Sequence, residues 1–236
     1  MMAVKNGIFE SFSSEGELLA VLIDPEKFDP AEASAFLQKI PASATHIFVG
    51  GSTVEKGQTE ACIDFLKNKT ALPVIIFPGD HSQITPAADA LLFLSLISGR
   101  NPEYLIEQQV RSVDRLRKME LEVIPTGYIL VDGGKECAVQ RVSKTLPMSQ
   151  SNPQEIVNTA LAGEYSGKKL IYLEAGSGAE NPVSEEIIGA VKKAISVPLI
   201  VGGGIRTSAQ LNAAYRAGAD IVVVGTAFEN GNFFIS

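Results

Sequence analysis

Two glycine-rich segments near the C-terminus carry the strongest chemical signal. Val201-Gly202-Gly203-Gly204-Ile205-Arg206-Thr207 follows one apolar run, and Gly225-Thr226-Ala227 follows another, itself preceded by Ala217-Gly218-Ala219-Asp220. Glycines let backbone N–H groups approach anionic oxygens closely, and an adjoining helix N-terminus adds a favourable dipole. Two such segments in adjacent positions point to a phosphorylated ligand; singly, each also serves as a tight turn. They name no reaction, because barrels of many activities share such loops.

Tyr172-Leu173-Glu174-Ala175-Gly176-Ser177-Gly178 ends an earlier apolar run. A carboxylate at that point can take a proton from a substrate hydroxyl, and Ser177 with its glycines can donate to an anion. A salt-bridged rim position is the alternative reading of Glu174. Ile23-Asp24-Pro25-Glu26-Lys27 and Gly50-Gly51-Ser52-Thr53 end two more apolar runs. If those runs are neighbouring strands, Asp24 and Ser52 share one mouth. A carboxylate with a hydroxyl or carbonyl oxygen is a sparse hard-cation site, suited to Mg2+ that keeps waters and borrows phosphate oxygens. Asp24 reads equally as a turn or cap residue. Lys27 is a further positive charge nearby.

Other residues carry less. His46 and His81 have no partner for a triad or a zinc site. Cys62 and Cys137 lie far apart without metal-ligand spacing, the pattern of two free thiols in a reduced, intracellular protein. Met119 and Met148 read as core or loop residues. Arg111 to Lys118 reads as a solvated helix face. The GxGxxG fingerprint of a dinucleotide site is absent.

The elements that position these residues alternate along the whole chain. Strands are expected at Leu19–Asp24, His46–Gly50, Val74–Phe77, Ala90–Ser95, Val123–Val131, Leu170–Ala175, Leu199–Gly202 and Ile221–Gly225. Their near-continuous apolar character marks strands buried on both faces of a parallel sheet. Helices are expected at Pro30–Ile40 after Asp29, Val54–Lys69 after Thr53, Pro102–Lys118 after Asn101, Pro153–Tyr165 after Asn152, Ser184–Ile195 and Ser208–Ala217, the last ended by Gly218. Eight strands in 236 residues give about 29 residues per unit, which fits an α/β (β/α)8 TIM barrel in a single domain over residues 1–236. Pro78, Gly79 and Pro86 interrupt the segment between Phe77 and Ala90. It is too short for a full helix, so the third outer helix should be missing, leaving a gap in the wall. Asp132–Ser151 is a polar loop long enough to be functional. Little room for a full eighth helix remains between Gly225-Thr226-Ala227 and Ser236: either the chain continues further or the last helix is short.

Composition sets the outer limits. Lys and Arg number 20 against 27 Asp and Glu, a net charge of −7, with 45% hydrophobic residues. This is a globular composition able to bury a large core. The acidic balance argues against nucleic-acid binding. The polar stretch Met1 to Glu17 lacks a signal-peptide apolar core, and Ala87 to Ile97 is too short to span a bilayer. A soluble, cytoplasmic protein is expected, meeting membranes only through its substrate or product.

Taken in order, six motifs resemble those of the geranylgeranylglyceryl phosphate synthases and their bacterial heptaprenylglyceryl phosphate synthase relatives. They are Leu22-Ile23-Asp24-Pro25-Glu26-Lys27, Val49-Gly50-Gly51-Ser52-Thr53, Ile76-Phe77-Pro78-Gly79, the run Tyr172 to Gly178, Gly202-Gly203-Gly204-Ile205-Arg206 and Gly225-Thr226-Ala227. They span nearly the whole chain; the Tyr172 to Gly178 run is specific, the glycine loops alone are not. The resemblance implies a Mg2+-dependent prenyltransferase joining a prenyl diphosphate, geranylgeranyl by expectation, to the 3-hydroxyl of sn-glycerol 1-phosphate, yielding an ether-lipid precursor. It implies Asp24 and Ser52 at the metal, and Tyr172, Leu173, Glu174, Ala175, Gly176, Ser177, Gly178, Gly203, Gly204, Gly225 and Thr226 at glycerol 1-phosphate. Glu174 would be the base, grouped with Tyr172 as catalytic. The tail would lie where the third helix is missing, with Tyr104 as a candidate stop, and the protein would be a homo-oligomer, a dimer or hexamer.

Two other readings stay open on the residues. A phosphosugar isomerase or aldolase would use the same phosphate loops, although no expected strand offers a convincing Schiff-base lysine. A non-catalytic phosphate- or flavin-binding barrel would use the loops without needing Asp24, Ser52 and Glu174.

Overall fold

Runs of Val, Ile and Leu bury both faces of eight strands, which close into a barrel in chain order: β1 (Leu18–Ile23), β2 (Ala44–Val49), β3 (Val74–Ile76), β4 (Ala90–Leu96), β5 (Glu122–Leu130), β6 (Leu170–Glu174), β7 (Leu199–Gly202) and β8 (Ile221–Val224). Every pairing is parallel, and β8 closes on β1 through Leu18↔Ile221 to Val21↔Val224. The computed structural model describes residues 7–13, 16–28 and 37–229. The helix expected over Pro30–Ile40, with its Asp29 cap, falls largely on residues outside that set.

Alternation along each strand sorts the core into two layers. Ala20, Phe48, Ile75, Leu92, Ile124, Tyr172, Ile200 and Val223 fill the barrel. Val21, Ile47, Ile76, Leu91, Ile171, Leu173, Val201 and Val222 face outward, under the helices. These helices are α2 (Gln58–Lys67), α3 (Gln108–Leu116), α4 (Ala138–Ser143), α5 (Pro153–Tyr165), α6 (Glu185–Ala194), α7 (Ser208–Ala217) and the short α8 (Thr226–Glu229), with α1 (Ile8–Phe12) preceding β1. Thr207 and Gln210 close a capping box on α7, Gly218 ends it at φ 111°, and Ser184 caps α6.

Several starts differ from expectation. Gly57, in a left-handed conformation, opens α2 at Gln58, so Thr53 caps nothing. Asn152 makes no backbone cap; its side chain donates to the Glu155 carboxylate at 2.9 Å. The helix expected from Pro102 opens as a π turn over Glu103–Glu107, with Asn101 Oδ1 accepting from Glu103 N at 3.1 Å. The loop Asp132–Ser151 contains α4. Cys62 and Cys137 are buried free thiols.

Between β3 and β4 the chain forms a 3₁₀ turn at His81–Gln83 and no outer helix. Buried Gln83 braces the gap: its Nε2 donates to Gly51 O at 2.9 Å and its Oε1 accepts from Gly79 N at 3.1 Å. At the opposite end, α1 seals the barrel floor. Phe12 packs against His46 and Phe48, and the Glu122 carboxylate accepts from Ile8 N and Phe9 N. Among the described residues no helix is long and apolar enough to cross a membrane.

Candidate active site

The C-terminal ends of the strands open into a cavity of about 480 Å³ that continues out through the gap left by the absent helix. Its polar end is walled by Asp24, Ser52, Glu174, Ser177, Gly178, Gly203, Gly204, Gly225 and Thr226. Its apolar end is walled by Ile84, Leu91 to Leu94, Tyr104 and the α4 residues Val139 and Val142.

Glu174 is the last residue of β6 and only 6% exposed. Oε1 accepts from Gly176 N at 2.8 Å, and among the described residues no cation pairs with it. Burial pushes its carboxyl up to about 7, against the Gly176 N–H and the neighbouring Tyr172 hydroxyl, which pull it down. The salt-bridged rim reading therefore fails. A buried carboxylate titrating near neutrality is instead placed to exchange a proton with a bound hydroxyl.

Tyr172 lies beneath, inside the barrel, and Oη finds no partner in good hydrogen-bond geometry among the described residues. Burial, with Glu174 nearby, holds this phenol well above the ordinary tyrosine range. The ring stacks on Phe77 at 5.3 Å and meets Tyr128 at 5.3 Å, so three aromatic rings floor the site. Tyr128 reads in the sequence as one more apolar strand residue, and Phe77 enters there only within the Ile76 to Gly79 motif.

Three glycine-bearing exits meet around Glu174. A Cβ on Gly203 would sit 2.5 Å from Glu174 Oε1, and its φ of 82° disfavours any side chain. Ser177 Oγ and Thr226 Oγ1 lie 2.9 Å apart, joining the exits of β6 and β8. Arg206 donates to the carbonyls of Gly178, Ala179 and Glu180, clasping the β7 exit to the β6 loop. Not every expected ligand residue faces the cavity. Leu173 and Ala175 turn their side chains into the outer layer, and the N–H groups of Ala175 and Gly176 already bind Gly202 O and Glu174.

Asp24 and Ser52 both reach the cavity. Asp24 Oδ1 accepts from Glu26 N at 3.1 Å, and Lys27 Nζ lies 3.5 Å from Oδ2. The turn role and the cavity role thus coincide in one carboxylate. A Cβ on Gly51 would fall 2.8 Å from Asp24 Oδ1, which brings the β2 exit against it. Among the described residues there is no cluster of three His, Cys, Asp or Glu that would hold a metal. One carboxylate beside a hydroxyl-bearing turn fits a cation such as Mg2+ that keeps its waters and takes further oxygens from an anionic substrate.

No barrel strand carries a lysine, so this mouth offers no Schiff-base amine from a strand.

Comparison with known proteins bears on this geometry. Residues 14–234 match the model of the PcrB family. A geranylgeranylglyceryl phosphate synthase from Zunongwangia profunda is 59% identical over 233 residues, covering 99% of this chain and 100% of the relative. One from Thermococcus kodakarensis is 41% identical over 230 residues, covering 96% and 89%. Among solved structures, (S)-3-O-geranylgeranylglyceryl phosphate synthase from Thermoplasma acidophilum, in complex with substrate sn-glycerol-1-phosphate, superposes with a TM-score of 0.88 at 37% identity, covering 94% of this chain and 92% of that one.

Proposed function

The chain belongs to the PcrB family, and from that premise we propose that it joins a geranylgeranyl group, from its diphosphate, to the 3-hydroxyl of sn-glycerol 1-phosphate with Mg2+ as cofactor. Its place among the geranylgeranylglyceryl phosphate synthases makes it a prenyltransferase. The tail, the cation and the residue roles are the content of the proposal.

One observation carries it: a single cavity holds a neutral-range carboxylate, Glu174, between glycine loops able to receive a phosphate and an apolar groove able to receive a hydrocarbon. Gly203, Gly204, Gly225, Ser177 and Thr226 hold the phosphate and so fix the acceptor hydroxyl beside Glu174. The oxygen of that hydroxyl bonds to the allylic carbon as the bond from that carbon to the diphosphate oxygen breaks. The hydroxyl proton passes to Glu174, and diphosphate leaves. Mg2+ bound at Asp24 and Ser52 would neutralise charge on the departing diphosphate. The groove anchors the tail by apolar burial, at about 0.8 kcal/mol per CH2.

The exposed stripe Ile106, Val110 and Val113 lies at i, i+4 and i+7 along one helix, as expected if the protein is a homo-oligomer. The reading places the enzyme in the cytoplasm, delivering a product that partitions into the membrane.

The test is a radiolabelled glycerol 1-phosphate assay with Mg2+ and prenyl diphosphates of increasing length, extracted into butanol. Label in the organic phase that disappears on chelation supports the reading. Folded protein that transfers no label with any length overturns it.

A further inference from the structure

The long loop after β5 brings a cation against the phosphate end of the cavity. The turn at issue is Gly176 to Asn181. The N–H groups of Ser177 and Gly178 have no acceptor among the described residues, as suits backbone that receives anionic oxygens. Two segments grip this turn. Arg206, at the β7 exit, spends its guanidinium on the carbonyls of Gly178, Ala179 and Glu180. The β5 exit supplies the other grip. Gly133 O accepts from Glu180 N at 2.8 Å and from Asn181 N at 3.0 Å, and Gly134 N donates to Asp132 Oδ1 at 2.9 Å. A Cβ on Gly133 would fall 2.2 Å from Ala175 O, so the β5 exit lies directly on the β6 loop.

Lys135 is the next residue in that grip. Its Nζ lies 3.2 Å, and its Cε 3.7 Å, from where a Cβ on Gly178 would sit, so the side chain reaches the glycine turn while the residue stays exposed. Among the described residues Nζ has neither a hydrogen-bond acceptor nor a carboxylate within ion-pair distance. The neighbouring acids are placed elsewhere: Glu136 pairs with Arg141 at 3.5 Å, and Glu180 Oε2 lies 3.5 Å from a Cβ position on Gly134. Lys27 stands beside Asp24 at the cation site, and Arg206 has its donors on carbonyls. An ammonium with unused donors beside unused backbone N–H groups is an arrangement that an anion completes.

We propose that Lys135 is a further substrate-binding residue, its ammonium bonding the acceptor phosphate that the backbone of Ser177 and Gly178 receives. The proposal rests on the prenyltransferase reading above and deepens it. Glycine loops alone offer neutral donors, whereas Lys135 adds a full positive charge and so selects an acceptor that carries a phosphate. It meets the phosphate and not the reacting hydroxyl, so it acts on binding rather than on the proton transfer.

The experiment measures calorimetric binding of sn-glycerol 1-phosphate to wild type, to Lys135→Met, which keeps the stem and loses the charge, and to Lys135→Arg, which keeps the charge. Steady-state kinetics and ligand-free thermal unfolding accompany it. In Lys135→Met, Kd and KM for glycerol 1-phosphate are expected to rise roughly tenfold with kcat at saturation little changed. Lys135→Arg should recover most of that loss, and all three proteins should unfold alike without ligand. Lys135→Met that binds the acceptor as tightly as wild type overturns the role of Lys135. Equal weakening in Lys135→Arg also overturns it, by tracing the effect to the stem and not the charge. Wild type that binds no glycerol 1-phosphate overturns the underlying reading instead.

Discussion

Gly203 presses its bare α-carbon against the Glu174 carboxylate: a Cβ there would lie 2.5 Å from Oε1, 2.7 Å from Gly176 N and 2.8 Å from Ala175 N. The β7 exit thus shapes the environment of the residue at the end of β6. The carboxylate is roofed by backbone, floored by Tyr172 and reached from the cavity alone.

Gly203→Ala is therefore expected to displace Glu174 or open the β7 turn, with φ 82° adding strain at the same place. kcat/KM should fall by roughly a hundredfold or more, since small misplacements of reacting groups cost about that much. Steady-state kinetics beside thermal unfolding checks this. Near-wild-type turnover would show that the contact does not matter.

Glu174→Gln keeps the shape and the acceptor for Gly176 N but removes the base. Turnover is expected to fall by roughly 10²–10⁴. In wild type, kcat/KM should climb through pH of about 7 as the carboxyl ionises, and the variant should lose that limb. A pH profile that is flat between 6 and 8 in wild type would remove Glu174 from the proton transfer.

The same carboxyl also affects stability. Its folded pKa of about 7 lies above the unfolded value near 4.5, so its contribution is fully present below the unfolded pKa and is lost as pH rises through the folded one. Glu174→Gln should then gain on wild type by roughly 3 kcal/mol between pH 4.5 and pH 8. Denaturant unfolding at the two ends measures it, and equal slopes in both proteins would contradict the burial cost assigned here.

His46 runs the other way. Burial under α1 lowers its pKa to about 4, while Nε2 sits 3.1 Å from Ser11 Oγ. A depressed folded value means the stability is present above the unfolded pKa near 6.5 and is lost as pH falls toward 4. His46→Leu should flatten that acid loss, at some cost in packing and in the Ser11 bond. Unfolding of both proteins at pH 7 and pH 4.5 separates the two effects, and an unchanged acid loss in the variant would place its source elsewhere.

Much of this was legible because the chain repeats one physical pattern. Val-Ile-Leu runs buried on both faces give the strands, proline marks the helix starts at Pro102 and Pro153, and Pro78, Gly79 and Pro86 forbid the third helix. Charged and glycine residues at strand ends, such as Asp24 and Glu174, stand out because little else explains them there. Helix α1 was not legible: five residues are too few for periodicity, and its N-terminus is held by Glu122, 114 positions away. Nor were the roles of Phe77 and Tyr128, which arise only when the barrel closes and packs both rings against Tyr172.

At the cation end, Asp24→Asn keeps a side-chain oxygen but removes the charge. It should raise the Mg2+ concentration needed for half-maximal rate by about tenfold or more, with KM for glycerol 1-phosphate little changed. A Mg2+ titration of both proteins at saturating diphosphate decides it. An unshifted requirement would take Asp24 out of the metal site and leave it with its turn alone.

The tail end of the cavity offers a steric test. Tyr104 lies in the π turn that opens the helix, half-buried against the cavity. Tyr104→Ala removes a ring, so it should widen the groove and admit longer diphosphates by making room. A length series for both proteins, read as kcat/KM, checks this, and the gain is expected only for tails longer than wild type accepts. If Tyr104→Ala leaves the profile unchanged, the ring is no stop.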